Sequence, residues 1–247
     1  MLLRLCLCCI LSFSDCAHHV RPSSCSDFIQ AFLTTILTLA PCFIIAIYKK
    51  QGVASLGFHS KRLKPALSIG LVLAVICLLL HAVIPGVAES WELFSPSTII
   101  AMFFIILNAA ILEDTLFQGY LQTRLNGLVN NNIAAVLIGA FLFAYIHVVA
   151  LMPSMGFFAA HNIILSMSIL TWFSMHFVYH LIFRRYFSIF PVIMVHFAWN
   201  FGISGLFDTG YGTIFNTMAF YVLFLSVLIW LFIAYLRNRK KSVVANS

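Results

Sequence analysis

An all-helical fold of about seven membrane-spanning helices enclosing a polar cavity is predicted from three properties of this chain. Hydrophobic residues make up 62% of its 247 positions and charged residues only 9%, with a mean hydropathy of +1.03. Such a chain cannot present an ordinary hydrated surface, so lipid is its solvent. Apolar stretches long enough to cross a bilayer core of about 30 Å, about 20 residues each, recur along the sequence. Basic residues fill every second connection between them, and within lipid only helices satisfy the backbone polar groups of each span.

Residues 1–27 form a lead-in in which Leu2 to Phe13 is apolar but too short to span, and Cys6, Cys8, Cys9, Cys16 and Cys25 crowd together. Their spacing fits no standard zinc or disulfide framework, and the segment reads as signal-like or as the product of a misassigned start. One helical membrane domain, 28–241, follows, with a short tail at 242–247. Its spans are placed at 28–48, 65–84, 98–123, 132–152, 162–183, 187–206 and 214–236. Pro65, Pro153 and Pro191 fall at or near span ends, where a missing amide hydrogen does least harm. Short loops favour antiparallel neighbours, and no internal repeat or low-complexity linker divides the domain.

Lys49, Lys50, Lys61, Arg62 and Lys64 occupy the first connection, Arg124 the third, Arg184 and Arg185 the fifth, and Arg237, Arg239, Lys240 and Lys241 the tail. The alternate connections hold Glu89 and Glu92, then no charge, then Asp208. The positive-inside bias therefore puts the basic set and the carboxy terminus in the cytoplasm, in the plasma membrane if the source is bacterial. The net charge of +7 is a topology signal. These bases are scattered over short loops without interleaved polar surface, which speaks against nucleic acid as a partner. Membrane lipid and a peptide or protein substrate within it are the expected partners.

Glu113 and Asp114 interrupt the third span, and in a chain with seven acidic residues two adjacent carboxylates inside an apolar run point to function. Further polar groups lie at depth: His147 in the fourth span, His176 and His180 in the fifth, His196 and Asn200 in the sixth. Histidines such as His176 and His180 commonly serve as helix-to-helix hydrogen-bonding groups. Glu113, His147 and His196, on three different spans, need mutual satisfaction or water, so a polar cavity is expected around them. Four residues apart, His196 and Asn200 share a helix face. On a regular helix Glu113 shares a face with Phe117 and Tyr120, whereas Asp114 shares one with Gln118, so one carboxylate does chemistry and the other braces. The cavity would hold what hydrolysis requires: a carboxylate base, imidazoles that move a proton, and an amide donor for an oxyanion.

The segments EDTLFQGYLQTRL from Glu113, FAYIH ending at His147, and HFAWN from His196 to Asn200 occur in this order, the last preceded by RRYFSIFPVIMVH. Together they resemble the three motifs, E-E-x-x-x-R, F-x-x-x-H and H-x-x-x-N, of the CAAX-protease and bacteriocin-processing (CPBP, or Abi) intramembrane endopeptidases, over about 98–206. The resemblance implies Glu113 as the base that activates water, His147 as its helper, His196 and Asn200 as oxyanion donors, and Phe143 as the start of the second motif. It also implies roles in cutting prenylated carboxy-terminal peptides, in peptide maturation or in self-protection against bacteriocins. Asp114 stands where the pattern has a second glutamate, and Gln118 where it has arginine. The ion pair of the pattern is thus absent, and Asp114 is expected to be neutral, to accept from the Gln118 amide, or to reach Arg124.

No serine or cysteine lies within a helical turn of a motif histidine to act as a covalent nucleophile, so water is the attacking group. Glu113, His147 and His196 could supply a two-histidine, one-carboxylate zinc set, and a glutamate and histidine pair could equally polarise water unaided; both stay open. A proton-coupled transporter or channel is the rival from another class, since intramembrane carboxylates and histidines also build proton relays. A catalytically impaired binding or immunity protein on the same fold is the other alternative. Labelling from the outer side is expected to reach a cysteine placed at Glu89 and to miss one placed at Lys240; the reverse pattern would invert the topology.

Overall fold

The computed structural model describes residues 25–59, 63–83, 95–156 and 167–204. All regular structure among them is helical: α1 (Cys25–Tyr48), a 3₁₀ turn (Val53–Leu56), α2 (Leu63–Val83), α3 (Pro96–Leu128), α4 (Asn132–Met155), α5 (Met167–Tyr186) and α6 (Phe190–Ser204). Each of the first six predicted spans falls on one of these helices. The seventh, at 214–236, lies outside the described residues, as do most of the lead-in, the acidic second and sixth connections and the basic tail. Two helices, α3 over Pro96–Leu128 and α4 over Asn132–Val149, are long and apolar enough to cross a membrane. An all-helical protein of this kind is consistent with a helical membrane protein.

Local chemistry sets the helix ends. Ser95 caps α3, its hydroxyl accepting from the Thr98 amide at 3.3 Å, and Pro96 follows where no amide hydrogen is needed. Asn131 does the same for α4, its side-chain oxygen accepting from the amides of Ile133 and Ala134 at 2.9 and 3.1 Å.

The helices share one core. α2 packs along α6, α4 along α5, and α3 lies against both α6 and α1. Cys77 of α2, Ala110 and Phe117 of α3, Phe143 of α4, Val178 and Tyr179 of α5 and Val195 and Ala198 of α6 meet in the middle. Outward faces are apolar as well: Phe32, Leu33 and Leu37 of α1, Leu71 and Leu79 of α2, and Ile133, Leu137 and Phe141 of α4 are all exposed. A bundle apolar on both sides suits lipid and would be unstable as a monomer in water.

Two features depart from the regular pattern that the sequence predicts. Thr115–Gln122, in the middle of α3, is π-helical, so residues before and after it do not keep the phase of a 3.6-residue helix. The first connection, read as a charged loop, folds inward instead. Leu56 is fully buried, the amide of Ile189 donates to the carbonyl of Gly57 at 3.1 Å, and the carbonyl of Leu56 presses on Gly119 of the π segment.

A Cβ added at Gly119 would stand 2.5 Å from the backbone oxygen of Leu56, whereas one at Gly127 would meet nothing within 4 Å. Gly119→Ala is therefore expected to destabilise the protein by about 1–3 kcal/mol. Gly127→Ala, by contrast, should be neutral or stabilising by up to about 1 kcal/mol. Thermal melting of both variants in detergent checks the pair, and an equal melt would mean that the loop does not seat on α3.

Candidate active site

The last α-helical turn before the π segment carries Glu113 and Asp114, and their side chains turn toward histidines from two other helices. Glu113 Oε2 lies 3.6 Å from Nε2 of His147 on α4 and 3.8 Å from Nε2 of His196 on α6. Asp114 Oδ1 lies 3.2 Å from Nδ1 of His196. Four of the five sequence-predicted site residues thus meet. Asn200 sits one turn beyond His196 on α6, half-buried, and makes no hydrogen bond to the other four.

The hydrogen bonds determine which atoms face the centre. His147 Nδ1 is 2.7 Å from the carbonyl oxygen of Phe143, which can only accept, so this nitrogen donates. His196 Nδ1 likewise donates to Asp114. Both imidazoles therefore turn Nε2 toward Glu113 Oε2, across gaps too long for a hydrogen bond. That oxygen has no hydrogen-bond partner, nor has Asp114 Oδ2. A water molecule between Glu113 and the two rings would donate to two of these three groups, and would accept from the third where that group carries a proton.

Accessibility divides the four into layers. The side chains of Glu113 and His147 are 19% and 15% exposed, those of His196 and Asp114 only 2% and 1%. Glu113 and His147 are thus the pair that an incoming molecule reaches, and Asp114 is the sealed group behind His196. Among the described residues no set of three or more His, Cys, Asp or Glu side chains is arranged to hold a metal ion.

Aromatic rings wall the site. Phe143 stands 4.7 Å from the His147 ring, 6.5 Å from that of His196 and 5.1 Å from Phe117. Trp172 stacks on His147 at 4.9 Å and 22°, and Tyr179 lies 5.1 Å from His196. Trp172 and Tyr179 were not singled out from the sequence. Their shared face was legible, because Trp172, His176, Tyr179 and Phe183 follow a 4, 3, 4 spacing along α5, but not what that face meets.

The expected partners of Asp114 are corrected. The π segment turns Gln118 away from it, and the Gln118 amide donates instead to the backbone carbonyl and to Nδ1 of His176, both at 3.1 Å. Arg124 reaches Gln51 Oε1 of the first connection at 2.5 Å and lies over the Tyr120 ring. His176 also meets Gln122 Oε1 at 3.1 Å, as a helix-to-helix group. His180 is buried with neither ring nitrogen hydrogen-bonded.

An apolar helical bundle that brings a carboxylate and two imidazoles together defines the class: a helical protein of membrane type. Residues 95–202 match the family model described as Type II CAAX prenyl endopeptidase Rce1-like, so this segment carries a domain of that family, within the CPBP group. The match opens on the α3 cap, Ser95, and takes in all five site residues. No curated protein and no solved structure matches the chain.

The hydrogen bonds predict the proton positions: Nδ1 of His147 and of His196 protonated, Nδ1 of His176 bare. Nitrogen-15 spectra of histidine-labelled protein, assigned by single replacements, read this directly. A bare Nδ1 on His147 would contradict the geometry, and Asp114→Ala should remove the acceptor that keeps Nδ1 of His196 protonated.

Proposed function

We propose that the protein is an intramembrane endopeptidase that hydrolyses a peptide bond of a membrane-associated peptide or protein with activated water. The observation that carries this reading is Glu113 Oε2: without a hydrogen-bond partner, on a side chain that is 19% exposed, and 3.6 and 3.8 Å from the Nε2 atoms of two histidines. Water placed in that gap gives a proton to Glu113 as its oxygen attacks the scissile carbonyl carbon. His147, held by the Phe143 carbonyl and stacked on Trp172, orients the water and shares its proton. The new carbon–oxygen bond places negative charge on the former carbonyl oxygen. His196 faces that charge through Nε2, with Asp114 at Nδ1 as the counter-charge that supports a proton there, and the Asn200 amide is the second donor. Collapse breaks the carbon–nitrogen bond, and the proton taken from water goes to the leaving amine.

The family description, a CAAX prenyl endopeptidase, supports a lipidated carboxy-terminal peptide as the first substrate to test. Such a peptide would approach through the bilayer to the exposed Glu113 and His147 side. With the apolar stretch at 214–236 as a seventh span, the basic connections and the carboxy terminus face the cytoplasm, in the plasma membrane of a bacterial source. These steps run through the protein's own groups and call on no metal.

Purified protein in detergent, given a fluorogenic farnesylated peptide ending in a CAAX sequence, is expected to release the terminal tripeptide. Glu113→Gln should lower kcat by at least about 10³-fold, within the range of a lost general base, with an unchanged melt. Wild-type turnover by that variant would remove the catalytic assignment. Exhaustive chelation should leave the rate unaltered; loss of activity restored by zinc would instead make Glu113, His147 and His196 ligands.

A further inference from the structure

A second polar cluster lies outside the proposed chemistry, at the π segment. Gln118 and Gln122 project from Thr115–Gln122 toward α5, and His176 stands between them, fully buried. The Gln118 amide nitrogen is 3.1 Å from the His176 carbonyl oxygen, which fixes the orientation of the amide, and 3.1 Å from Nδ1, which must then accept. The other ring nitrogen, Nε2, donates to Gln122 Oε1 at 3.1 Å, and Gln122 Nε2 donates to Asn126 Oδ1 at 2.9 Å. Gln118 starts one directed chain as donor, His176 and Gln122 are each used once as acceptor and once as donor, and none of the three needs a charge.

The third helix is cut to fit this cluster. A Cβ at Gly139 of α4 would crowd Gln122 Oε1 and stand 2.9 Å from His176 Nε2, so a side chain there would displace the amide from the ring. Three helices thus converge on a buried network that the proposed reaction does not use. Its place along α3 gives it a consequence. Glu113 and Asp114 end the α-helical part immediately before the π segment, and the π turns decide that Asp114 meets His196 while Gln118 meets His176. Relaxation of 115–122 to a regular helix would change the phase between the carboxylates and the rest of α3.

We infer that Gln118, His176 and Gln122 form an uncharged clamp that holds the π-helical register of α3, and that they are positioning residues for Glu113 and Asp114. The clamp rests on the catalytic reading above only for its effect on rate; the register itself is a property of the fold. Loss of the clamp moves the carboxylates relative to His147 and His196, and a displacement of about 1 Å at such a site costs about 10²-fold in turnover.

Hydrogen exchange on the purified protein tests the clamp without a substrate. In His176→Leu and in Gly139→Ala the amides of 115–122 should exchange about ten-fold faster, with α2 and α6 unchanged. Adding Gln118→Leu to His176→Leu should cost less than Gln118→Leu does in the wild-type protein, because only the bond to the backbone carbonyl of residue 176 is left to lose. His176→Asn, which keeps an acceptor for Gln118, and His176→Gln, which keeps a donor for Gln122, should each restore part of the protection even if Gly139→Ala fails to fold. With the farnesylated peptide, His176→Leu should lose about 10²-fold in kcat with KM within about two-fold. Wild-type exchange at 115–122 in His176→Leu overturns the clamp, as does equal behaviour of the Leu, Asn and Gln variants, which would show that only volume matters. An inert Glu113→Gln alongside fully active clamp variants would sink the positioning role alone, whereas an active Glu113→Gln would sink the catalytic reading and leave the exchange result to decide the register.

Discussion

Two adjacent carboxylates buried in an apolar bundle are the constraint around which the rest is arranged. A charged carboxylate at the centre of a membrane helix costs about 2.5–3.5 kcal/mol on insertion scales, so each of the two must face protein or water. Adjacent residues on a helix point about 100° apart, so the two carboxyls cannot both face the same atom of a partner. The bundle resolves this by giving them different depths: Glu113 opens toward the partly exposed side beside His147, and Asp114 closes onto His196. The other requirements follow, since α4 and α6 must each bring a histidine to the same level of α3.

His196 links the two carboxylates, with Nδ1 on Asp114 and Nε2 toward Glu113. Such a ring is oriented from behind and presents its working nitrogen forward, as in triads where a sealed carboxylate fixes an imidazole. His147 is oriented differently, by a carbonyl of its own helix and by stacking on Trp172. The difference in support matches the difference in exposure, because a carbonyl four residues back suffices at the accessible edge, while the buried ring needs a charged acceptor.

The departures from the family pattern fit the same logic. Arginine at 118 would need a carboxylate, and the one nearby in sequence is held by His196. Glutamine at this position is instead satisfied by His176 without moving a charge into the interior, where an unpaired ion costs several kcal/mol. A neutral network is favourable there only if nearly complete, and one open site remains, the Gln118 oxygen, which has no hydrogen-bond partner.

Much of this was legible in the chain itself, because composition and apolar run length are local properties that bilayer thickness converts into helices. The first six predicted spans fall on α1 to α6, of which α3 and α4 are long and apolar enough to cross a membrane, and Glu113, His147 and His196 stood out because polar groups are conspicuous in an apolar run. The partners of Asp114, Gln118 and Arg124 were not legible, since they follow from the phase of α3. A π segment changes that phase without any sequence sign such as proline or a glycine pair, being held by contacts from α5 and from the first connection. Trp172 and Tyr179 were hidden for a related reason: an aromatic stripe on an apolar helix reads the same whether it faces core, lipid or a histidine. The sequence by itself determined which groups are buried and on which helices; tertiary packing alone decided who meets whom, because hydrogen-bond pairing between helices depends on rotations of a fraction of a turn that no single helix encodes.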